Sequence, residues 1–420
     1  MRFKTLAEWL NWQEGLHPQT IELGLARISQ VFQELHPEPP PFTVITVGGT
    51  NGKGSTVALL ESIFHAAGYQ TGACTSPHLL RYNERIRLNS QQASDEQICQ
   101  AFQRVDEARG ETSLTYFEFG TLAALDIFYQ NRPDVVLLEV GLGGRLDAVN
   151  IIDSDVAVIT SIGLDHTDWL GHDRESIARE KAGIMRKERP VICSEQAIPE
   201  AIFTEAERTG ARLYCLGRDF SYLKIDGHWS WTGPDGDSRV LPMPAQAGEH
   251  QLRNAAAAMM VLACLAETLP VSYEQIAQGL SHTPLSGRQQ RMQGKANWLL
   301  DVAHNEQSIA ALADYLKTAS PPGRTHAVVG MLGDKDITAN LQAISSLVTD
   351  WYCVNLDVPR GASAEELEAV LEKLTHTAKV QCFPDVQTAM SAAETMAETG
   401  DRLLVFGSFY TVAEALQRGV

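Results

Sequence analysis

Short apolar runs recur along this 420-residue chain, and they constrain its fold more than any other feature. Runs of this kind are typical of strands that are buried on both faces of a parallel sheet. The predicted strands lie at 42–47, 135–140, 156–162, 298–302, 327–330, 352–356 and 403–406. Patterns of helical period lie between many of them. The alternation predicts an α/β fold with mostly parallel sheets.

The length of the chain favours two domains, because a single hydrophobic core stops growing at about 250–300 residues. Residues 219–244 are rich in Gly, Pro, Asp and Trp, which predicts a short β excursion or an irregular segment, and a long helix is predicted to follow at about 249–268. Residues 283–288 are interpreted as a linker. We therefore predict one domain at 1–286 and a second, smaller α/β domain at 287–420.

Composition and charge narrow the class of protein. With 44% hydrophobic and 20% charged residues, the chain has the composition of an ordinary soluble protein. Its formal net charge of -18 disfavours a nucleic-acid partner, which needs a basic face. The first ten residues lack the apolar run of a signal peptide, and the apolar stretch at 255–266 is shorter than the about 20 residues that span a bilayer. We expect a cytoplasmic protein that binds no membrane.

The seven cysteines are scattered and include no Cys-x-x-Cys pair. This spacing indicates neither a disulfide framework nor a zinc site.

A glycine-rich segment, Gly-Gly-Thr-Asn-Gly-Lys-Gly-Ser at 48–55, follows a predicted strand and precedes a helical pattern. Such a turn directs backbone N–H groups and the positive end of the helix dipole at a phosphate, and Lys53 would lie against the β- and γ-phosphates of a nucleotide. The strict P-loop pattern is broken by Val47 at its first glycine position and by Gly54 after the lysine. On the pattern alone, a tight strand-to-helix turn without a nucleotide is the alternative.

Two side chains that suit a divalent metal follow predicted strands. Glu139 ends a run of valines and leucines, and His166 lies just beyond the strand at 156–162. Both should emerge at the carboxyl edge of a parallel sheet, where ligands bind. A carboxylate and an imidazole there suit a metal beside phosphates, although His166 alone could be an ordinary hydrogen-bonded loop residue.

Lys181 is predicted to point into the protein interior. Asp173 has the features of a helix N-cap, and the following helical pattern places Lys181 on the same stripe as Ile177 and Ile184. A lone buried ammonium group costs several kcal/mol and usually loses its proton or finds a partner. The alternative is a lysine whose amine reaches water along the apolar surface.

Several segments, in one order along the chain, resemble the folylpolyglutamate synthase/dihydrofolate synthase family of the Mur ligase superfamily. Gly-Thr-Asn-Gly-Lys at 49–53 resembles the variant phosphate loop of that superfamily. The other similar segments lie at 75–78, 139–147, 160–183, 301–305 and 407–410. The resemblance implies an N-terminal Mur-ligase-type P-loop domain and a C-terminal Rossmann-like glutamate ligase domain.

The implied activity is that of an ATP-dependent ligase that joins L-glutamate to dihydropteroate and to reduced folates through an acyl phosphate. A monofunctional folylpolyglutamate synthase, another Mur-type amide ligase and a non-catalytic ATP-binding protein are the alternatives. The peptidoglycan Mur ligases carry a whole nucleotide-sugar domain before the loop, whereas 48 residues precede Gly49 here. A monomer is compatible with the sequence.

The resemblance also implies the roles of individual residues. Lys53, Lys181 and His304 are the candidate catalytic residues. The candidate ATP-binding residues are Thr50, Asn51, Gly52, Lys53, Gly54, Ser55, Asn254, Arg288 and Asp301, where Ser55 is our own candidate for the displaced P-loop hydroxyl. The candidate ligands of two magnesium ions are Ser76, Glu139, His166 and a carbamylated Lys181. The family usually has Pro-Gly-Arg where this chain has Ser286-Gly-Arg288.

Two groups of residues are similar to substrate-binding positions of the family. His304 and Ser408 match positions implicated in glutamate handling, although each could be an ordinary loop residue. The candidate dihydropteroate-binding residues are Ile21, Glu22, Leu23, Thr115, Tyr116, Phe117, Glu118, Leu146, Asp147 and Ala148. The rings of Tyr116 and Phe117 could stack on a flat heterocycle, but core packing is the more common role of such a pair.

Overall fold

A computed structural model describes residues 1–283, 285–293, 297–318, 323–375 and 378–418. The chain divides into two compact units. The first comprises Met1–Ala245 and His250–Thr283, and the second comprises Gln246–Glu249 and the described part of Pro284–Val420. Pro284, in the predicted linker, lies outside the described residues.

The first unit contains a sheet of eight strands in the order β4-β3-β2-β5-β1-β6-β7-β8. Its strands are β1 Thr43–Gly48, β2 Thr71–Cys74, β3 Ile86–Leu88, β4 Gln91–Gln92, β5 Val135–Glu139, β6 Val156–Ile159, β7 Pro190–Cys193 and β8 Arg212–Cys215. The strands from β2 to β8 in this order are parallel, and β3 is antiparallel to β2. The carboxyl ends of β1, β2, β5 and β6 therefore meet at one edge.

Helices cover both faces of this sheet. They are α1 Leu6–Glu14, α2 Ala26–Leu35, α3 Lys53–Ala66, α4 Asp95–Arg109, α5 Tyr116–Asn131, α6 Thr167–Leu170, α7 Arg174–Ala182, α8 Glu200–Thr209, α9 Glu249–Cys264 and α10 Tyr273–Ser281. Alternate residues of β1 enter different cores: Val44 packs with α4 and α5, whereas Ile45 and Val47 pack with α3 and α9. This alternation explains why the strands are continuous apolar runs.

A small antiparallel sheet lies between β8 and α9 in the sequence. Its strands are β9 Ser221–Ile225, β10 His228–Thr232 and β11 Ser238–Pro242. Trp229 and Trp231 of β10 are buried in the core that contains α9. The predicted β excursion at 219–244 is therefore confirmed.

The second unit contains a sheet of six strands in the order β12-β13-β17-β14-β15-β16. Its strands are β12 Gln290–Gln293, β13 Asn297–Asp301, β14 Thr325–Val329, β15 Asp350–Val354, β16 Lys379–Phe383 and β17 Arg402–Phe406. Its helices are α11 Glu306–Thr318, α12 Ile337–Ile344, α13 Ala364–Leu374, α14 Val386–Met396 and α15 Phe409–Gln417. β12 is antiparallel to β13, and the remaining strands are parallel, as in a Rossmann-like fold.

All seven predicted strands are present, and the predicted α/β class with mostly parallel sheets is confirmed. Most predicted boundaries differ from the observed ones by one or two residues, and two differ by more. The strand predicted at 156–162 ends at Ile159, because the next two residues leave the sheet and bond to the loop after β1. The long helix predicted to reach residue 268 ends at Cys264 and continues in irregular turns. In the described part of the chain, no helix combines the length and apolarity needed to span a bilayer.

Candidate active site

The loop between β1 and α3 has the strand–loop–helix context that the sequence predicts for a phosphate-binding loop. Gly52 precedes the first residue of α3 and has a φ of +90°. A Cβ atom at Gly52 would lie 2.6 Å from Asn254 Oδ1, and one at Gly49 would lie 2.0 Å from Thr160 Oγ1. These two positions therefore require glycine, because of the backbone conformation and the close neighbours.

The segment after β6 holds this loop in place. Thr50 N donates to Ser161 O at 2.7 Å, and Asn51 N donates to Ser161 Oγ at 2.9 Å. Thr160 Oγ1 bonds Asn51 O at 2.6 Å. The amides of Thr50 and Asn51 are thus engaged within the protein, whereas the N–H groups of the first turn of α3 point along the helix axis in the direction in which helices bind phosphates.

Lys53 and Ser55 begin α3. The Nζ atom of Lys53 donates to the carbonyl oxygens of Gly49 and Thr50, both at 3.0 Å, so the ammonium group lies over the loop. Gly54 follows it, and the Ser55 side chain is buried. The cradle of amides and a cation fits a nucleotide phosphate.

Ser76 and Glu139 are brought together at the carboxyl edge of the sheet. Ser76 follows β2 and Glu139 ends β5, and these two strands are neighbours. Glu139 Oε2 accepts a hydrogen bond from Ser76 N at 3.2 Å, and Glu139 is 5% exposed. A buried carboxylate next to a serine residue offers oxygen ligands of the kind that magnesium prefers.

His166 lies beyond β6, as predicted, at the N-terminus of α6. It has a left-handed backbone conformation with a φ of 51°, and its N–H donates to Asp165 Oδ1 at 2.9 Å. Among the described residues, no three His, Cys, Asp or Glu side chains lie close enough to hold a metal ion together. A metal at this edge would therefore take its ligands from mixed groups, which include the Ser76 hydroxyl and phosphate oxygens.

Lys181 is buried on α7, and only 3% of it is exposed. Asp173 caps this helix by accepting from Ser176 N at 2.8 Å, as the sequence predicts. Burial lowers the pKa of Lys181 to about 7; the charge of Lys53 lowers it further, and Asp165 and Asp147 act in the opposite direction. The side chain therefore does not reach water along the surface, and its amine is readily neutral.

Asp147 lies in the glycine-rich loop after β5, next to half-buried Leu146 and buried Ala148. Its carboxylate accepts from Leu142 N at 2.7 Å and from Val149 N at 3.1 Å. Burial raises the pKa of Asp147 to about 6, and these backbone bonds oppose the rise. The side chain thus holds the shape of the loop.

Arg27 joins two of the predicted substrate segments. Its guanidinium pairs with Glu22, between Ile21 and Leu23, and its Nη2 lies 3.1 Å from Glu118 Oε1. Glu118 also accepts from the backbone N–H of Thr115, which caps α5.

The third substrate segment also lies close. A Cβ atom at Gly141 would lie 2.5 Å from Phe117 Cζ, so the Phe117 ring packs on the glycine-rich loop that contains Asp147. Tyr116 and Phe117 are partly buried against the core, and the guanidinium of Arg85 lies 5.8 Å from the centre of the Tyr116 ring. The structure therefore brings all three segments together.

In the second unit, the candidate residues lie at the carboxyl ends of β13 and β17, which are neighbours. Asp301 accepts from the backbone of Gln289 and Ala303 at 3.0 and 2.8 Å. Burial raises the pKa of Asp301, and the positive charge of Arg288 opposes this.

His304 and Ser408 also lie at this edge. His304 Nδ1 donates to Val302 O at 2.8 Å, which fixes the orientation of the ring. Ser408 Oγ caps α15 by accepting from Thr411 N at 3.0 Å. The hydroxyl of Ser408 therefore has a structural role whether or not it contacts glutamate.

Asn254 lies on α9 against Gly52, and its Nδ2 donates to Gln251 Oε1 at 3.2 Å. It is therefore beside the phosphate loop. Thr160, Ser161 and Asp165 were not predicted as site residues, although polar side chains directly after an apolar strand are a usable signal.

Comparison with known proteins identifies the family. The Mur ligase middle domain family matches residues 47–262, and the family described as Mur ligase, glutamate ligase domain matches residues 287–409. The dihydrofolate synthase/folylpolyglutamate synthase of Escherichia coli (strain K12) is 46% identical over 413 residues, which cover 98% of this chain and 95% of that protein.

Solved structures agree over nearly the whole length. E. coli FolC in complex with DHPP and ADP has a TM-score of 0.93 at 45% identity, and the match covers 99% of this chain and 97% of that one. A bifunctional folylpolyglutamate synthase/dihydrofolate synthase with Mn, AMPPNP and L-glutamate bound has a TM-score of 0.88 at 45% identity, covering 99% and 98%. The chain therefore belongs to the dihydrofolate synthase/folylpolyglutamate synthase family of ATP-dependent Mur-type ligases.

Proposed function

We propose that this chain joins L-glutamate to dihydropteroate and to reduced folates, with ATP activating the acceptor carboxylate as an acyl phosphate. The observation that carries the proposal is that the phosphate loop and the Ser76–Glu139 contact lie at one edge of the first sheet, with the buried amine of Lys181 within electrostatic reach of Lys53. The substrates follow from the relatives, whose names include both activities.

The residues of the first unit would bind and orient ATP. The amides at the start of α3, from Gly52 to Ser55, would donate hydrogen bonds to the phosphate oxygens, and the Lys53 ammonium would neutralise charge on the γ-phosphate as it is transferred. Ser76, Glu139 and His166 would hold magnesium. When bound, this metal supplies charge stabilisation for phosphoryl transfer.

Lys181 would complete the set of anionic ligands after carbamylation. Its amine is buried and readily neutral, and the neutral amine adds to carbon dioxide and releases one proton to give the carbamate. Carbamylation would replace a disfavoured buried ammonium with an anion whose oxygens suit a hard cation. We infer two magnesium ions, one of them next to this group.

Residues 1–286 are proposed to bind ATP and the pteroate acceptor, and residues 287–420 to bind glutamate. Within residues 287–420, Arg288 and Asp301 are assigned to the nucleotide, and His304 and Ser408 are assigned to glutamate. Asn254 is assigned to ATP. The dihydropteroate site is assigned to residues 21–23, 115–118 and 146–148, which Arg27 and the ring of Phe117 connect.

A turnover assay tests the proposal. Purified protein with ATP, magnesium, dihydropteroate and L-glutamate should release ADP and form a product heavier by one glutamyl residue, as measured by mass spectrometry. Sustained ADP release should require both organic substrates, because the acyl phosphate forms on the acceptor with release of ADP and is then consumed by the glutamate amine with release of phosphate. If neither dihydropteroate nor a reduced folate gave a glutamylated product, a non-catalytic nucleotide-binding protein would be favoured. The cytoplasmic location and the monomeric state stay predictions.

A further inference from the structure

Two arginines, Arg85 just before β3 and Arg87 within it, contact the segment that contains Ser76. This segment, Thr75-Ser-Pro-His78, follows β2, and β3 runs antiparallel to β2. Thr75 N accordingly donates to Arg85 O at 2.9 Å. The guanidinium of Arg87 reaches Glu61 on α3, whereas that of Arg85 lies over the rings of Tyr82 and Tyr116.

Arg87 makes contacts with two separate elements. Its Nε and Nη2 atoms donate to Glu61 Oε2 at 2.9 and 2.7 Å, and Glu61 lies on α3, the helix of the phosphate loop. Its Nη1 atom donates to Thr75 Oγ1 at 3.1 Å and to Glu84 O at 3.1 Å. The guanidinium fork thus joins α3 to the first residue of the Ser76 segment.

The position of Ser76 depends on its two neighbours in this segment. Thr75 is held by Arg87, and at the other end His78 Nδ1 accepts from Arg85 Nε at 2.8 Å. Between them, Ser76 N donates to Glu139 Oε2. A shift of Thr75 would therefore move the serine hydroxyl relative to the Glu139 carboxylate.

We propose that Arg87 is a positioning residue: through Thr75 it holds Ser76 beside Glu139 in the arrangement that receives the metal and phosphates, and through Glu61 it links this arrangement to α3. The inference rests on the proposed function, because the ligand concerned is a metal–nucleotide complex. Glu61 is only 4% exposed, so its carboxylate cannot leave the arginine for water without cost.

The alternative is an ion pair that only stabilises the fold, and the chain contains a matched control. Arg104 on α4 donates to Asp126 Oδ2 from Nε and Nη2 at 2.8 and 2.6 Å, and Asp126 is 1% exposed. This pair has similar geometry and burial but joins α4 to α5. A purely structural role predicts similar behaviour of Arg87→Met and Arg104→Met.

The experiment compares Thr75→Val, Arg87→Met and Arg104→Met with the unsubstituted protein. Hydrogen–deuterium exchange of residues 75–79 is measured without ligands, and the magnesium concentration for half-maximal thermal stabilisation is measured with AMPPNP. We expect Thr75→Val and Arg87→Met to speed exchange in this segment at least fivefold and to raise the half-maximal magnesium concentration at least fivefold. Arg104→Met should lower the melting temperature and change neither quantity.

The proposal is overturned if Thr75→Val and Arg87→Met both leave the exchange rate of residues 75–79 and the half-maximal magnesium concentration within twofold of the unsubstituted protein. The proposal is also overturned if Arg104→Met speeds hydrogen–deuterium exchange of residues 75–79 as much as Arg87→Met does. If Arg87→Met does not fold, Thr75→Val decides, since it removes only the acceptor hydroxyl and keeps the Arg87–Glu61 pair. Exchange is read without turnover, so an inactive protein would refute the ligase proposal and leave this test intact.

Discussion

At the scale of single residues, Lys53 is the cation of the phosphate loop, and its ammonium group donates to two loop carbonyl oxygens. We expect Lys53→Ala to lower kcat at least about 100-fold, equivalent to about 2.7 kcal/mol of transition-state stabilisation. The circular dichroism spectrum should stay unchanged. Lys187→Ala is the control, since 79% of that side chain is exposed, and it should retain full activity. Normal turnover of Lys53→Ala would refute the phosphate role.

The buried amine of Lys181 predicts a pH dependence. Its folded-state pKa is lowered from 10.5 to about 7, so the amine becomes neutral and able to form a carbamate as pH rises through about 7. Without the carbamate, and between pH values of about 7 and 10.5, Lys181 is protonated in the unfolded chain and neutral in the folded one. The unfolded state therefore binds more protons, and the free energy of unfolding rises with pH in that window. Carbon-13 NMR with labelled bicarbonate should show more carbamate at pH 8 than at pH 6.

The matching substitution is Lys181→Ala. We expect it to lower kcat at least about 100-fold, or about 2.7 kcal/mol, and to leave ATP affinity within threefold. A small carboxylate such as acetate should restore part of the activity by supplying the missing oxygens. Full activity of this variant, together with no carbamate signal, would show that the amine stays unmodified.

At the scale of elements, the phosphate loop depends on glycine at the start of α3. Gly52→Ala would place a Cβ atom 2.6 Å from Asn254 Oδ1 at a φ of +90°. The matched control is Gly68→Ala just after the end of α3, where φ is +87° and nothing lies within 4 Å. Both variants should lose about 1–2 kcal/mol of stability from backbone strain in chemical denaturation. We expect only Gly52→Ala to weaken ATP binding, by at least tenfold in calorimetry.

The strands and the helix caps could be predicted from the sequence because their signals are local. Continuous apolar runs mark β1 and β5, and Asp173 precedes its helix by one residue. The contacts that shape the site could not be predicted in this way. Arg87 and Glu61 are 26 residues apart, and Arg27 and Glu118 are 91 apart, with no pattern that pairs them. Such pairs depend on the order of strands in the sheet, which the sequence leaves open.

At the scale of the whole molecule, each unit has its own core around its own sheet, and the family matches fall in both. The prediction of two domains rested on the length of the chain, which exceeds what one core usually organises, and on the interpreted linker at 283–288.

The last prediction concerns which acceptors the whole protein uses. Segments 21–23 and 115–118 are joined by Arg27, and both belong to the first unit, whereas the residues assigned to glutamate belong to the second. We expect the protein to glutamylate both dihydropteroate and a reduced folate monoglutamate. Arg27→Met should lower kcat/KM for dihydropteroate at least tenfold, because Glu22 and Glu118 would lose their shared cation, while KM for L-glutamate stays within twofold. Melting curves of the variant separate this effect from unfolding. Glutamylation of the reduced folate alone would restrict the protein to the polyglutamate synthase activity.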